Sequence, residues 1–410
     1  MTRSLRILSV LGQRPTSTGS GVLVQELLQS SVRSGDQNWL VCGAYLEDEW
    51  YDIIGNAYSV VTFSNKTSQG QLPFPIPGMS DVMPYYSVPY GKLTSAQVQN
   101  VIKAYGEKIR EIVADFNPNL IHNHHLWILT DILQVLTNVP CIVTVHGTDL
   151  KLAKTALQHR HLVVRNLARI QHLLCVSQDM AYDARVEYGI EEERETVIGN
   201  GYNPDIFSVS GPRHEFSEKV VLCVGKFVPW KGFRYVIRAC AKVSTKHQLV
   251  ILGAGTDAEH KKLIDEASKE GLKVIFPGQV TQLDVAKWMR CADVFVLPSI
   301  HEPFGLVLLE ALACGCKVVA SGSGGPKDII SLTLLQHGLA SLISPLNLSA
   351  HSDEPRYVED FSNAIELHLR SVTTLHQRNF IAESVRELTW DAVYKRIREI
   401  YLEITKDIAE

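Results

Sequence analysis

The sequence predicts an α/β protein built as two parallel-sheet domains joined by a linker, and three observations carry that expectation. The chain has 410 residues, 45% of them hydrophobic, more than one core of ordinary size accommodates. Short β-branched runs alternate with longer helix-patterned segments: "LRILSVL", "NWLVCGA", "NLIHNHH", "PCIVTVHG" and "HLLCVS" in the first half, "VVLCVGK", "QLVILGAG", "KVIFPG", "ADVFVLPS" and "CKVVASG" in the second. Runs that are apolar throughout are those of parallel strands covered on both faces by crossover helices. Between the halves, residues 203–219, "NPDIFSVSGPRHEFSEK", are polar and carry Pro204, Gly211 and Pro212, the marks of a linker. The expected division is a first domain over residues 1–202, the linker over 203–219, a second domain over 220–385, and a terminal helix over 386–410. That helix is read from Leu388, Val393, Ile397, Tyr401 and Ile404, which recur on one face and need a surface to pack on.

Composition narrows the function classes. Charged residues make up 20% of the chain and the formal net charge is -4, so no basic surplus points to nucleic acid as the main partner. The cysteines are scattered, with Cys42, Cys141, Cys175 and Cys223 in apolar runs, where they act as small hydrophobes in a reducing compartment. Cys314 and Cys316 form one close pair without a second to match, which favours a structural role over a metal site. The opening "MTRSLRILSVLG" reads as a first strand rather than a signal peptide, and no apolar segment approaches the roughly eighteen residues of a membrane span. A cytoplasmic protein is expected. Peripheral docking on a membrane stays open through "KLAKTALQHRHLVVRNLARIQH", residues 151–172, with Arg160, Arg165 and Arg169 near helical spacing; the plainer reading is a solvated helix face.

The stretch "HEPFGLVLLEALACG", residues 301–315, places a carboxylate at each end of a very apolar helix, Glu302 at its mouth and Glu310 two turns in. An unpaired buried carboxylate is costly, so an ordinary buried helix would carry neither. The stretch directly follows the strand "ADVFVLPS", and Pro303 suits a first helical position. Ligands of open α/β sheets bind at the carboxyl ends of strands, where a helix N-terminus offers free amides and a positive dipole end to phosphate. The amides of Phe304, Gly305 and Leu306 are expected to face a diphosphate. Glu310 falls about 12 Å from Glu302 along a helix axis at 1.5 Å per residue, about the span from a sugar across a diphosphate to a ribose. Glu310 then accepts from ribose hydroxyls and Glu302 from the sugar; the alternative is a capping acid at Glu302 and a solvated Glu310. A second element is "VGKFVPWKG", in which Lys226 and Lys231 follow the strand "VVLCV" and supply two cations to a leaving diphosphate.

These residues resemble a known family, the retaining nucleotide-sugar glycosyltransferases of family 4. The family's fold is GT-B, in which two Rossmann-like domains face across a cleft. The carboxylate pair separated by seven residues matches Glu302 and Glu310, with "PFG" between, and the basic loop matches Lys226 and Lys231. "NGYNPDIF" at residues 200–207 is similar to the family's approach to its linker, and "VILGAG" and "VIFPGQVTQLDVAKWMRCADVFVLPS" are similar to its second domain in order and spacing. The tail with Trp390 resembles the family's terminal helix, which crosses back onto the first domain.

The resemblance implies a first domain for the acceptor and a second for the donor nucleotide. It adds His146, at the end of "TVHGTD", as the histidine beside the donor sugar, and Gly21 of "TSTGSG" as the glycine loop near the donor phosphate. His146, Lys226, Lys231 and Glu302 are thus the expected catalytic residues. Gly21, Phe304, Gly305, Leu306 and Glu310 are the expected donor-binding residues. The resemblance implies a UDP-sugar or related donor, an acceptor hydroxyl on a glycan, lipid-linked glycan or small metabolite, and attack on the face that the diphosphate vacates, so that configuration is retained. The sequence departs from the family's pattern in three places: Lys226 stands where arginine is usual, Ser20 interrupts the glycine pair, and "GYN" replaces Gly-Val-Asp. Lys226 offers a point charge in place of a bidentate clamp.

No cofactor or metal is expected. "HNHH", residues 122–125, puts His122 and His124 on one strand face but suggests no third ligand, and the sequence has no Asp-x-Asp. Residues 63–93 form a long proline- and aromatic-rich loop, whose Phe74, Tyr85, Tyr86 and Tyr90 are candidates for stacking on the acceptor or for packing on one another. Two other readings stand beside transfer: a nucleotide-sugar epimerase of GT-B fold, and a non-catalytic sugar-nucleotide-binding protein. A nicotinamide dehydrogenase fits poorly, since "GQRPTSTGSG" lacks the Gly-x-Gly-x-x-Gly spacing.

Overall fold

The computed structural model describes residues 3–16, 18–48, 57–134, 139–347 and 353–406. Two compact units divide the chain, Met1–Gly199 together with Trp390–Glu410, and Asn200–Thr389. The first holds a seven-stranded sheet made of β1 (Arg6–Leu11), β2 (Gln37–Ala44), β3 (Ala57–Thr62), β4 (Leu120–His124), β5 (Cys141–Val145), β6 (Ile170–Cys175) and β7 (Glu195–Val197). All its ladders are parallel and the spatial order is β3-β2-β1-β4-β5-β6-β7, so the strand order reverses between β1 and β4. β4 and β5 are buried along their whole length, β5 as a largely apolar run and β4, "LIHNH", with His122, Asn123 and His124 inside the sheet. Helix α1 (Gly19–Arg33) is capped by Thr18, and α2 (Ser95–Phe116) by a capping box of Thr94 and Gln97.

The second unit repeats the plan with six parallel strands: β8 (Lys219–Val224), β9 (His247–Leu252), β10 (Val274–Gly278), β11 (Val294–Leu297), β12 (Lys317–Ser321) and β13 (Ala340–Ile343). Their order, β10-β9-β8-β11-β12-β13, reverses between β8 and β11. Helix α3 (Phe233–Ala241) meets α5 (Asp353–Leu369) through Tyr235 on Tyr357, ring centroids 5.4 Å apart, while the eight-residue helix α4 (Leu306–Ala313) follows β11. The stretch expected as a linker is held against this unit. The buried Arg290 guanidinium donates to the carbonyls of Ser208, Pro212 and Ile206 at 2.9, 3.1 and 2.5 Å, and His214 lies 4.3 Å from the Trp288 ring.

The last helix, α6 (Trp390–Ile404), belongs to the first unit and packs along α1. It buries Val393, Ile397 and Tyr401. Asp391 takes hydrogen bonds from Ser30 and Arg33, each 2.7 Å. The buried Asp36 carboxylate accepts from Arg398 at 2.7 and 3.0 Å, from the Tyr394 hydroxyl at 2.7 Å and from the Leu5 amide at 2.9 Å. Tyr401 Oη meets His122 Nδ1 at 2.6 Å, so the tail is bound to the sheet through polar groups as well as its apolar face. All eight cysteines are free. No helix among the described residues is long and apolar enough to cross a membrane.

Candidate active site

In the second unit the strand order reverses between β8 and β11, the position where open α/β sheets leave a crevice at the carboxyl ends of their strands. Lys226 and Lys231 follow β8, and Glu302 follows β11, so the fold brings the basic loop and the first carboxylate together. Lys231 Nζ lies 2.5 Å from Glu302 Oε2, and Ser299 Oγ donates to the same oxygen at 2.8 Å. Glu302 is only 7% exposed, and a carboxylate so far out of water needs the ion pair and hydrogen bond it makes here. Burial pulls the half-buried Lys226 ammonium below the usual lysine pKa.

The loop that carries Glu302 is shaped from a second turn which the sequence reading did not single out. After β12 comes "SGSGGP", residues 321–326. Gly324 has φ +75°, and a Cβ there would lie 1.9 Å from the Glu302 carbonyl oxygen. That oxygen accepts the Gly325 amide at 3.0 Å. Only glycine meets both demands at position 324. Three glycines before a proline mark a special turn in the sequence, but its partner twenty-two positions upstream is visible only in three dimensions.

Helix α4 starts at Leu306, later than the expected first position at Pro303. The chain passes through Gly305 at φ 103°, a left-handed conformation that places Glu302 and Phe304 in a turn ahead of the helix. The first bonds of the ladder run from the amides of Leu308 and Leu309 to the Gly305 carbonyl, at 2.9 and 3.1 Å. The amides before Leu308 therefore precede the ladder, with the dipole's positive end behind them. Phe304 is buried, and Leu306 is half-buried. Glu310, one turn into the helix, is half-buried and its carboxyl has no hydrogen-bond or ion-pair partner among the described residues; burial pushes that carboxyl up to about 8.

In the first unit, His146 stands at the end of β5. The wholly buried Asp149 carboxylate accepts its backbone amide at 3.2 Å, together with the amides of Gly147 at 2.8 Å and Leu126 at 2.9 Å. The His146 ring lies 4.6 Å from that of His125 and 5.9 Å from that of His124, and His124 is 4.0 Å from His122. Burial, reinforced by the neighbouring imidazoles, holds His146 and His124 well below the usual histidine pKa, and burial alone lowers His122 to about 3. Burial also lowers the His125 imidazole. Among the described residues no group of three or more His, Cys, Asp or Glu is arranged to hold a metal ion.

Gly21 lies inside the first turn of α1, where its amide donates to the Thr18 cap at 3.0 Å. Sequence reading missed Gln13, whose buried amide donates to Thr18 Oγ1 at 2.8 Å and to Ser20 Oγ at 2.7 Å. Ser20 thus interrupts the glycine pair with a hydroxyl that Gln13 holds.

The four aromatics of the long loop divide. Phe74 and Tyr90 are buried, packed edge-on against Phe63 and Trp127, so they offer no ring face to a ligand. Tyr85 is half-buried, with the Arg14 guanidinium 5.2 Å above its ring. Tyr86 is 51% exposed. Within residues 151–172 the arginines at the surface are in part paired. Arg160 pairs with Glu187 at 2.7 Å, and Arg165 with Asp131 through Nε at 2.6 Å.

With this geometry in view, comparison with known proteins places the chain. The family model "Glycosyltransferase Family 4" matches residues 18–206, and "Glycosyl transferases group 1" matches residues 211–339. The chain is similar to a glycosyltransferase of Methanocaldococcus jannaschii, 29% identical over 216 residues, 48% of this chain and 55% of the relative. It thus spans just over half of that relative's length. It is also similar to a D-inositol 3-phosphate glycosyltransferase of an Arthrobacter species, 28% identical over 351 residues, 77% of this chain and 82% of the relative. Among solved structures it is similar to the Anabaena protein HepE in complex with UDP and glucose, with a TM-score of 0.69 and 17% identity over 97% of this chain and all of the other. Matched by these two models over most of its length and similar in fold to HepE, the chain belongs to glycosyltransferase family 4, with the GT-B fold.

Proposed function

We propose that the protein transfers a glycosyl group, with retention of configuration, from a nucleotide diphosphate sugar held by the second unit to an acceptor hydroxyl. The observation that carries this reading is the pair of carboxylates around the start of α4. Glu302 is already paired to Lys231, while the Glu310 carboxyl has no partner among the described residues. A half-buried carboxyl without a partner lacks hydrogen bonds that the two hydroxyls of a ribose supply. The amides ahead of the α4 ladder, with Lys226 and Lys231, then face the diphosphate. As the glycosidic bond breaks, charge grows on the leaving oxygens, and preformed cations and amides stabilise that charge more than the ground state. The UDP and glucose bound to HepE support UDP as the nucleotide of the donor.

Thermal shift of the purified protein against UDP, GDP, ADP and their sugars tests the donor site. One nucleotide is expected to stabilise the wild type, by an increment that grows with the logarithm of its concentration, and to lose most of that increment in Glu310→Ala. A panel in which no nucleotide shifts the wild type would contradict the reading.

A further inference from the structure

The Glu302 carboxylate is held through one of its two oxygens. Lys231 Nζ and Ser299 Oγ both meet Oε2, at 2.5 and 2.8 Å, and Oε1 takes no hydrogen bond among the described residues. The two donors differ in what they fix. An ammonium is a point charge on a flexible stem, and the last torsion of a glutamate is broad and nearly two-fold, so Lys231 alone would meet either oxygen equally well. Ser299 breaks that equivalence. It is wholly buried, and the one side-chain bond it makes among the described residues is the bond to Oε2. Its backbone is tied on both sides: the Pro298 carbonyl accepts the Tyr357 hydroxyl of α5 at 3.0 Å, and the Ile300 amide donates at 2.8 Å to the carbonyl of Trp230, the residue before Lys231. The turn that leaves β11 is therefore fastened to α5, to the Lys231 turn and, through the Glu302 carbonyl, to Gly325.

We propose that Ser299 is a positioning residue for the transfer: it selects Oε2 for Lys231 and so leaves Oε1 as the one oxygen that Glu302 offers to a hydroxyl of the donor sugar. The role deepens the reading of Glu302 given above and rests on it. Ser299 acts through Glu302 and not on the ligand, since its single O–H is spent on Oε2 and its side chain is out of reach of solvent. Without that hydroxyl the ion pair to Lys231 survives, but the carboxylate turns about its terminal bond and presents either oxygen. The sugar then loses a fixed acceptor. The loss falls on turnover more than on binding, because rate depends on groups already aligned for the transition state. Nucleotide binding, which uses the amides ahead of α4 and Glu310, is left as it was.

The test compares the full-length wild type with Ser299→Ala, Ser299→Thr, Glu302→Ala and the double variant that joins Ser299→Ala to Glu302→Ala, with a melting curve to check that each is folded. Calorimetry measures UDP affinity. Single-turnover release of UDP from UDP-glucose and UDP-galactose, with water as the acceptor, measures the rate. Ser299→Ala is expected to bind UDP within about twofold of the wild type while its rate at saturating donor falls about 10- to 100-fold, the span of a hydrogen bond to a charged group. Ser299→Thr, which keeps the hydroxyl, is expected to recover most of that loss. In the Glu302→Ala background, removing Ser299 is expected to cost less than about twofold more, because residues that act as a unit are not additive. A serine that only supports the fold would instead lower the rate by the same factor in both backgrounds. That equal factor, or a wild-type rate in Ser299→Ala, would overturn the proposal and leave the donor reading intact. A wild-type protein that binds no UDP would overturn the donor reading, and the role of Ser299 with it.

Discussion

Glu310 offers a perturbation whose sign and size follow from its surroundings. Burial raises its folded carboxyl from an ordinary 4.5 to about 8. Below pH 4.5 the carboxyl is protonated in folded and unfolded chains alike and contributes nothing to pH dependence. Between those values the unfolded chain loses the proton while the folded protein keeps it, so stability falls as pH rises, and above 8 the full loss is reached. At 1.36 kcal/mol for each unit of difference, the span gives about 5 kcal/mol at most. Glu310 is half-buried, and screening by the water that reaches it reduces this to about 2–3 kcal/mol. Glu310→Gln mimics the protonated form. It is expected to melt within a degree or so of the wild type at pH 5 and about 5–10 °C above it at pH 9, taking about 2–4 °C for each kcal/mol in a unit of this size. The assay is differential scanning calorimetry of both proteins from pH 5 to 9. Parallel curves across that range would refute the reasoning, since they would mean that the carboxyl ionises as freely in the folded protein as outside it.

The other expectations concern neighbouring parts. Lys231→Met leaves Glu302 without its cation, and a loss of about 3 kcal/mol in urea unfolding is expected with a fall of about 10²–10³ in turnover; unchanged turnover would remove Lys231 from the reaction. Gly324→Ala sets a Cβ against the Glu302 carbonyl and is expected to cut kcat/KM by about 10² through displacement of that loop, which steady-state kinetics would detect. Asp36→Ala strips Arg398, Tyr394 and the Leu5 amide of a buried acceptor and should cost the first unit about 3–5 kcal/mol. A change under about 1 kcal/mol in its unfolding would show that the tail is held by its apolar face alone.

Much of this protein was legible in its sequence because the strands announce themselves. A run such as "CIVTV" is apolar on both faces, and only a sheet covered on both sides asks for that. Glu302 and Glu310 were legible for the opposite reason, as charges where apolar residues belong. What escaped depends on contacts distant in sequence. Nothing local says that Gly324 supports Glu302, or that Gln13 holds Ser20. The start of α4 shifted because Gly305 takes a left-handed conformation, a choice glycine permits but does not declare. Aromatic content alone did not separate the exposed Tyr86 from the buried Phe74 and Tyr90, because Phe63 and Trp127, which cover them, come from other segments.

Retention of configuration in a transfer carried out by these residues is the central claim, and the anomeric proton of the product reports on it directly. The wild-type protein, given the donor that the thermal panel selects and a free-sugar acceptor, is expected to yield by NMR a product with the same anomeric configuration as the donor, and Glu302→Gln little product of either kind. An inverted linkage from the wild type, or undiminished product from Glu302→Gln, would contradict it.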